Sequence, residues 1–178
     1  EIHWADETGL RSDDVRGRSY APVGKTPEIR ISRRREGLSI ISSITNRGKV
    51  RFKVFEGAMK VPLLIDFMRR LVRESQKEGA PKLFLILDNL KVHHARQVQA
   101  WLQDNKERIE VFYLPSYSPE LNPNELLNAN LKAAITTQAP ARRKGQLKEA
   151  AIGHLRHLQK SPKKVQQFFG KDSVKYAA

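Results

Sequence analysis

KLFLILDNLKVHHARQVQAWLQDNKERIEVFYL, residues 82–114, decides the architecture. KLFLIL (82–87) is an unbroken apolar run, which predicts a strand buried on both faces, as at the parallel centre of an α/β sheet. From about His94 to Lys106, Ala95, Val98, Trp101 and Leu102 recur at helical spacing. IEVFYL (109–114) then reads as the next strand. A strand, a helix and a second strand in this order make a parallel crossover unit.

Working outward, residues 1–6 (EIHWAD) read as a short strand followed by a polar loop rich in Gly, Pro and Ser. EIRIS (28–32), LSIISSIT (38–45) and VRFKVFE (50–56) are β-branched or aromatic runs divided by Arg-rich and Asn-Arg-Gly turns, and predict consecutive antiparallel strands. From Ala58 to about Gln76, Val61, Leu64, Ile65, Phe67, Met68, Leu71 and Val72 mark a helix that Gly79 and Pro81 end. Helices are expected at about 123–137 and over QLKEAAIGHLRHLQK (146–160), and SPKKVQQFFG opens on a Ser-Pro start for a last short one. The pattern implies one α/β domain over 1–178, with a helical C-terminal part from about 140. Its sheet is mixed and five-stranded, three antiparallel strands then two parallel, with helices on both faces. In such sheets the functional crevice lies beyond the carboxyl ends of the parallel strands, where Asp6 and Asp88 are expected.

The chain has 178 residues, no cysteine and a net charge of +14. Disulfides and thiolate metal sites are therefore excluded, and any metal must be held by oxygen or imidazole. No apolar run approaches the roughly 20 residues of a membrane span, and no signal-peptide pattern opens the chain. The charge is uneven: residues 1–20 carry three Arg against five acids, whereas 21–56 carry nine basic residues against three acids and 111–178 eleven against four. An acidic start, with two basic blocks that flank the candidate site in sequence, points to a polyanion partner.

Asp6 ends EIHWAD, Asp88 ends KLFLILD, and Glu125 lies in the first turn of the helix announced by SPELNPNE. Carboxylates suit Mg²⁺ and Mn²⁺, hard ions that prefer oxygen. Three of them could hold two ions about 4 Å apart, one activating the attacking oxygen and the other steadying the leaving one. Without metal, two such charges 4 Å apart repel by about 4 kcal/mol at an effective dielectric of 20. Each acid has a plainer reading. Asp88 can start the turn after its strand. Glu125, with Asn122 as N-cap and Pro123 at the first helical position, stands where a capping-box Glu belongs. Asp6 has Glu7 as a rival, but shares a strand face with Ile2 and Trp4. Asp13 and Asp14 read as solvated loop acids.

LDNLKVHHA and FYLPSYSPELNPNELLNANLK, with the WADETGLRSDD opening, resemble the catalytic core of DDE transposases of the mariner superfamily, in its bacterial insertion-sequence branch. The resemblance implies an RNase H-like fold and catalysis by two Mg²⁺ or Mn²⁺ ions. It also implies cleavage at the ends of a mobile element, and strand transfer of the freed 3′-hydroxyl into target DNA. By the same resemblance Asp6, Asp88 and Glu125 are the catalytic, metal-binding acids. The expected partners are transposon-end and target DNA and, at full length, a second copy of the protein. The expected location is the bacterial cytoplasm, at the nucleoid. Two departures stand out: Leu126, Leu127 and Asn128 replace the family's usual aromatic after the Glu, and the family's N-terminal helix-turn-helix modules are missing from this chain. The alternatives are an RNase H-like nuclease without strand transfer and an inactive remnant that only binds DNA.

Candidate DNA contacts are Arg33, Arg34 and Arg35 in a turn, Asn89 and His93 beside Asp88, and Arg142, Arg143 and Lys144, with Lys163 and Lys164 offering similar charge. Such contacts would be to phosphate and carry little sequence information. His93 and His94 also read as ordinary loop histidines or as residues behind the metal site. Trp101 and Phe112 are expected in the core.

Overall fold

In a computed structural model, residues 1–178 are described except 15–19, 27, 29–34, 81, 117, 138–140 and 142. Five strands form one sheet: β1 (Ile2–Arg11), β2 (Gly37–Ile44), β3 (Val50–Phe55), β4 (Leu83–Leu87) and β5 (Ile109–Tyr113), in spatial order β3-β2-β1-β4-β5. β1, β2 and β3 are antiparallel neighbours, with Trp4 opposite Ile44 and Arg11 opposite Gly37. β4 runs parallel to both β1 and β5. The mixed sheet of three antiparallel and two parallel strands is therefore as expected. The strand anticipated at 28–32 falls, Glu28 apart, outside the described residues.

β1 is longer than expected. Beyond Asp6 the alternation of strand faces continues through Thr8 and Leu10, 6% and 2% exposed, and pairing with β2 persists to Arg11. Asp6 therefore lies in mid-strand rather than at a strand end. It is the parallel pairing with β4 that stops short, at Trp4 opposite Ile86. Ile2, expected to share Trp4's burial, is 51% exposed.

Two apolar layers sandwich the sheet. α1 (Val61–Lys77) and α2 (Arg96–Asp104) bury Leu64, Phe67, Met68, Leu71 and Val98 against Ala5, Ile41, Leu83, Leu85 and Leu87. On the other face α3 (Asn124–Thr136), α4 (Gln146–Gln159) and α5 (Pro162–Gln166) pack Leu127, Leu131, Leu155 and Val165 against Trp4, Leu10, Ile40 and Val50. These three helices touch β1, β2 and β3 and leave the β4–β5 corner thinly covered. That explains two departures. In β4 only Leu83, Leu85 and Leu87 are fully buried, while Phe84 and Ile86 are half-covered. Phe112, expected in the core, is 48% exposed with its ring 6.3 Å from Phe84. Trp101 is half-buried and packs on the α1–α2 layer as expected.

The β2–β3 hairpin is fixed by Gly48, whose N–H donates to the Thr45 carbonyl at 2.9 Å with φ of +85°. A Cβ there would meet the Pro162 carbonyl oxygen at 2.5 Å and its Cα at 2.7 Å. Glycine is required twice over, by conformation and by the close approach of α5.

Candidate active site

Asp6 faces Ser42 across the β1–β2 ladder. Continuing the β1–β4 register by two residues sets it beside Asp88, the first residue past β4. Both acids thus sit at the carboxyl end of the parallel pairing. The Asp6 side chain is on the Trp4 and Leu10 face, which α3 covers, and is 7% exposed. The Asn128 amide donates to its Oδ2 at 2.7 Å.

Glu125 enters from the second residue of α3, and two asparagines fix that helix start. Asn122 Nδ2 donates to the Ala5 carbonyl at 3.0 Å while its Oδ1 accepts the Asn124 N–H at 3.0 Å. Asn124, fully buried, donates through Nδ2 to the Ser42 carbonyl at 2.9 Å and lies 3.1 Å from Ser42 Oγ. α3 is therefore stitched to β1 immediately before Asp6 and to β2 directly opposite it. Buried bonds of this kind contribute about 1 kcal/mol each and cost more when one partner is left unpaired. The capping-box reading of Glu125 fails for a local reason. The Asn122 N–H that a capping Glu would accept from is already donated to the Pro119 carbonyl at 3.0 Å. The Glu125 carboxylate is left half-buried and directed at no cap.

The acids couple electrically. Burial, then the charges of Glu125, Asp88 and Glu7, push the Asp6 carboxyl up to about 8, against a hydrogen bond from the Glu7 backbone. Burial raises Asp88 too; His93 opposes the rise, while Glu7 and Glu125 add to it. Elevation of Asp6 and Asp88 by neighbouring acids is what clustered carboxylates show without a cation.

His93, anticipated as a DNA contact, is instead 1% exposed. Its Nδ1 donates to the Asp88 carbonyl at 2.8 Å and stands 3.3 Å from Asp88 Oδ1, while its Nε2 is 3.7 Å from Glu7 Oε1. Burial lowers its basicity, but the Glu7 and Asp88 contacts outweigh that and raise it overall. Asn89 is exposed beside Asp88, its Oδ1 2.5 Å from His94 Nε2, and the His94 ring lies 4.4 Å from Tyr113.

The basic residues divide. Arg35 and Lys144 line a groove of about 480 Å³ with Lys148, at the sheet end where β1 finishes. Arg35 is also 3.3 Å from Asp13, so that acid is not simply solvated. Arg143 is exposed and engaged with Glu149. Lys163 and Lys164 lie on α5 beside the Gly48 turn, at the opposite end from the acids. Arg33, Arg34 and Arg142 lie outside the described residues.

The donor set fits a hard divalent cation. Asp88 Oδ1 and Glu7 Oε1 are buried with no hydrogen bond and, among the described residues, face only the His93 ring, at 3.3 and 3.7 Å, and all candidate first ligands are oxygens. Among the described residues no three His, Asp or Glu side chains are already drawn into an ion cage. Drawing three carboxylates onto one ion costs repulsion between like charges, which the cation's own charge offsets.

Glu7, Asn124 and Asn128 lie at the candidate site although no local motif assigns them there. The signal was available in part: LNPNELLNANL places four asparagines in and before the first turns of a helix, where their low helix propensity calls for a reason.

Among proteins of known sequence, residues 1–148 match the family model described as DDE superfamily endonuclease. The "Insertion element IS630 uncharacterized 39 kDa protein" of Shigella sonnei is 36% identical over 74 residues, 42% of this chain and 21% of that protein. The crystal structure of the mariner Mos1 paired end complex with Mg superposes with a TM-score of 0.70 at 18% identity, over 99% of this chain and 56% of that one. The Mos1 strand transfer complex gives 0.67 at 20% identity over 99% and 55%. The Mos1 catalytic domain gives 0.62 at 17% over 99% and 81%. The chain spans little more than half the length of the transposases in those complexes, and the fold it shares with them is the RNase H-like one that its motifs implied. With 148 of its 178 residues under the family model, the chain belongs to the DDE superfamily endonucleases.

Proposed function

We propose that this chain is the catalytic domain of a cut-and-paste transposase, acting on transposon ends and target DNA. Asp6, Asp88 and Glu125 are its catalytic acids and would hold two Mg²⁺ or Mn²⁺ ions. When bound, those ions supply an activated attacking oxygen and charge relief at the leaving one during in-line phosphoryl transfer. The carrying observation is that Asp6 on β1 and Asp88 at the end of β4 stand side by side in register, and that the charge of Glu125 at the start of α3 raises the proton affinity of both, in a chain of this family. The protein's own part is positional. β1 and β4 fix Asp6 and Asp88 side by side, and the asparagine stitching brings Glu125 to them. Asn89, Arg35 and Lys144 meet DNA phosphate near the acids, Arg143 adding charge once freed from Glu149. At full length the protein works as a homodimer in the bacterial cytoplasm, at the nucleoid. Among the described residues no helix is long and apolar enough to cross a membrane.

The test uses the full-length parent with Mg²⁺ or Mn²⁺ and DNA carrying its own element ends. Asp88→Ala should lower end cleavage by at least about 10³-fold, the loss of several kcal/mol of transition-state stabilisation. Cleavage undiminished by that change would sink the proposal. Cleaved ends with no joined product would point instead to a nuclease without strand transfer. DNA binding with no cleavage by the unaltered protein would point to an inactive remnant.

A further inference from the structure

Asn128 is one of three residues, with Leu126 and Leu127, standing where the resemblance implies an aromatic, and its amide makes a buried contact with Asp6. It lies three residues after Glu125, so both side chains leave the same face of α3. Its Nδ2 donates to Asp6 Oδ2 at 2.7 Å, across 122 residues of chain, with both groups buried. Its Oδ1 is buried with no hydrogen-bond partner in the described structure. A buried amide that satisfies only half of itself is destabilising compared with an apolar residue of the same shape, so packing alone does not account for it.

We propose that Asn128 is a positioning residue for the acid site: it ties down Asp6 Oδ2 and turns Oδ1 outward as the oxygen offered to a divalent cation. A neutral donor does this without adding a fourth charge to Asp6, Asp88 and Glu125. The free Oδ1 of the amide would remain available to a water held with that cation. This rests on the acid trio being the metal site. Partners that orient metal-binding carboxylates and imidazoles typically alter metal affinity by 10–100-fold when removed.

The experiment measures Mn²⁺ affinity by calorimetry and thermal midpoint in EDTA, on the chain as it stands. The variants are Asn128→Leu, nearly the same shape without polarity, and Asn128→His, which keeps a ring N–H donor. Asp88→Ala runs in parallel. For Asn128→Leu the expected result is Mn²⁺ binding at least about 10-fold weaker, with a midpoint in EDTA equal to or above that of the unaltered chain. Asn128→His should recover part of the affinity. A purely structural asparagine would give the reverse, a lowered midpoint with Mn²⁺ affinity within twofold, and that outcome overturns the inference. Should Asn128→Leu fail to fold, Asn128→His carries the test alone. Affinity within threefold of the unaltered chain supports the donor role, and a 10-fold loss in a folded Asn128→His protein overturns it. If Asp88→Ala leaves Mn²⁺ binding unchanged, the metal-site reading itself fails and takes the inference with it. If Asp88→Ala abolishes binding and Asn128→Leu does not weaken it, only the role of Asn128 is lost.

Discussion

Glu1 and Asp6 are five residues apart at the two ends of the parallel pairing, and their carboxyls are driven in opposite directions. Glu1 meets the His3 ring at 3.2 Å, Lys49 Nζ at 2.5 Å and the Ser75 hydroxyl at 3.0 Å, and is held well below the usual carboxylate range, the His3 contact contributing most against burial. Nearby, Lys49 and Arg51 engage Glu78, and Arg51 engages Glu74. At that end opposite charges meet and the hairpin closes tightly on Pro162. At the Asp6 end, like charges share a buried space and polar atoms lack partners. One end is arranged for stability. The other carries an electrostatic cost that a cation would relieve, the usual balance between stability and activity at a working site.

The largest stability effect is expected at the hairpin. Gly48→Ala forces a side chain into a left-handed conformation and against the Pro162 backbone. Strain and clash together should cost on the order of 3 kcal/mol. That lowers the thermal midpoint by about 6–12 °C for a chain of this size. Mn²⁺ affinity of the folded protein should not change. A loss of metal binding would mean the two ends are not separable.

Asp6→Asn should act in the opposite sense. In the metal-free chain Asp6 holds its proton up to about 8, whereas the unfolded carboxylate releases it near 4. Between those values the folded state binds more protons, so this group's contribution falls as pH rises from about 4 to 8. Asparagine removes the slope. In EDTA at pH 8, Asp6→Asn should be more stable than the unaltered chain by about 2 kcal/mol, the shift discounted for relaxation among coupled acids. At pH 4.5 the gain should nearly vanish. A gain that does not depend on pH would remove the electrostatic argument.

The contrast between the two ends was only partly legible in the sequence. The strand, helix and strand of 82–114 read correctly because apolar runs and helical spacing are local signals, and the observed elements fall within a few residues of those expected. The extent of β1 did not, since Gly9 and the polar residues around it look like a loop until β2 is laid beside them. Glu125 was ambiguous because a cap and a ligand occupy the same place at a helix start. The Asn122 N–H, already bonded to the Pro119 carbonyl, removes the cap reading. The contacts of Asn124 with Ser42 and of Asn128 with Asp6 span 82 and 122 residues, beyond any local pattern. His93 had two readings, a DNA contact and a place behind the acids, because histidines after a strand give no sign of which way they turn; its burial against Asp88 and Glu7 fits the second.

Glu1→Gln tests the paired end. A lowered carboxyl contributes stability above its unfolded value near 4.5 and loses it as pH falls through the folded value. The expected cost at pH 7 is about 1 kcal/mol, kept modest because solvent screens part of the cluster. It should shrink below pH 4. Chemical denaturation at pH 7 and pH 3 measures it, and an equal loss at both would show that shape rather than charge matters there.

The smallest stability effects should come with the clearest separation in binding. Lys144 lines the groove at the acid end, whereas Lys163 sits on α5 at the hairpin end. Both are exposed, so replacing either by Ala should leave stability within about 0.5 kcal/mol. A lysine that neutralises one phosphate releases about 0.9 of a counterion, so its loss flattens the dependence of log affinity on log salt by roughly that much. Lys144→Ala should show this flattening on duplex DNA of any sequence, with affinity falling most at low salt. Lys163→Ala should not, because DNA seated over Asp6 and Asp88 runs past the opposite end of the sheet from α5. Equal slopes for the two variants would mean that charge attracts DNA to the whole surface and that the division between the ends has no part in binding. A larger effect from Lys163 would reverse the assignment of the DNA path.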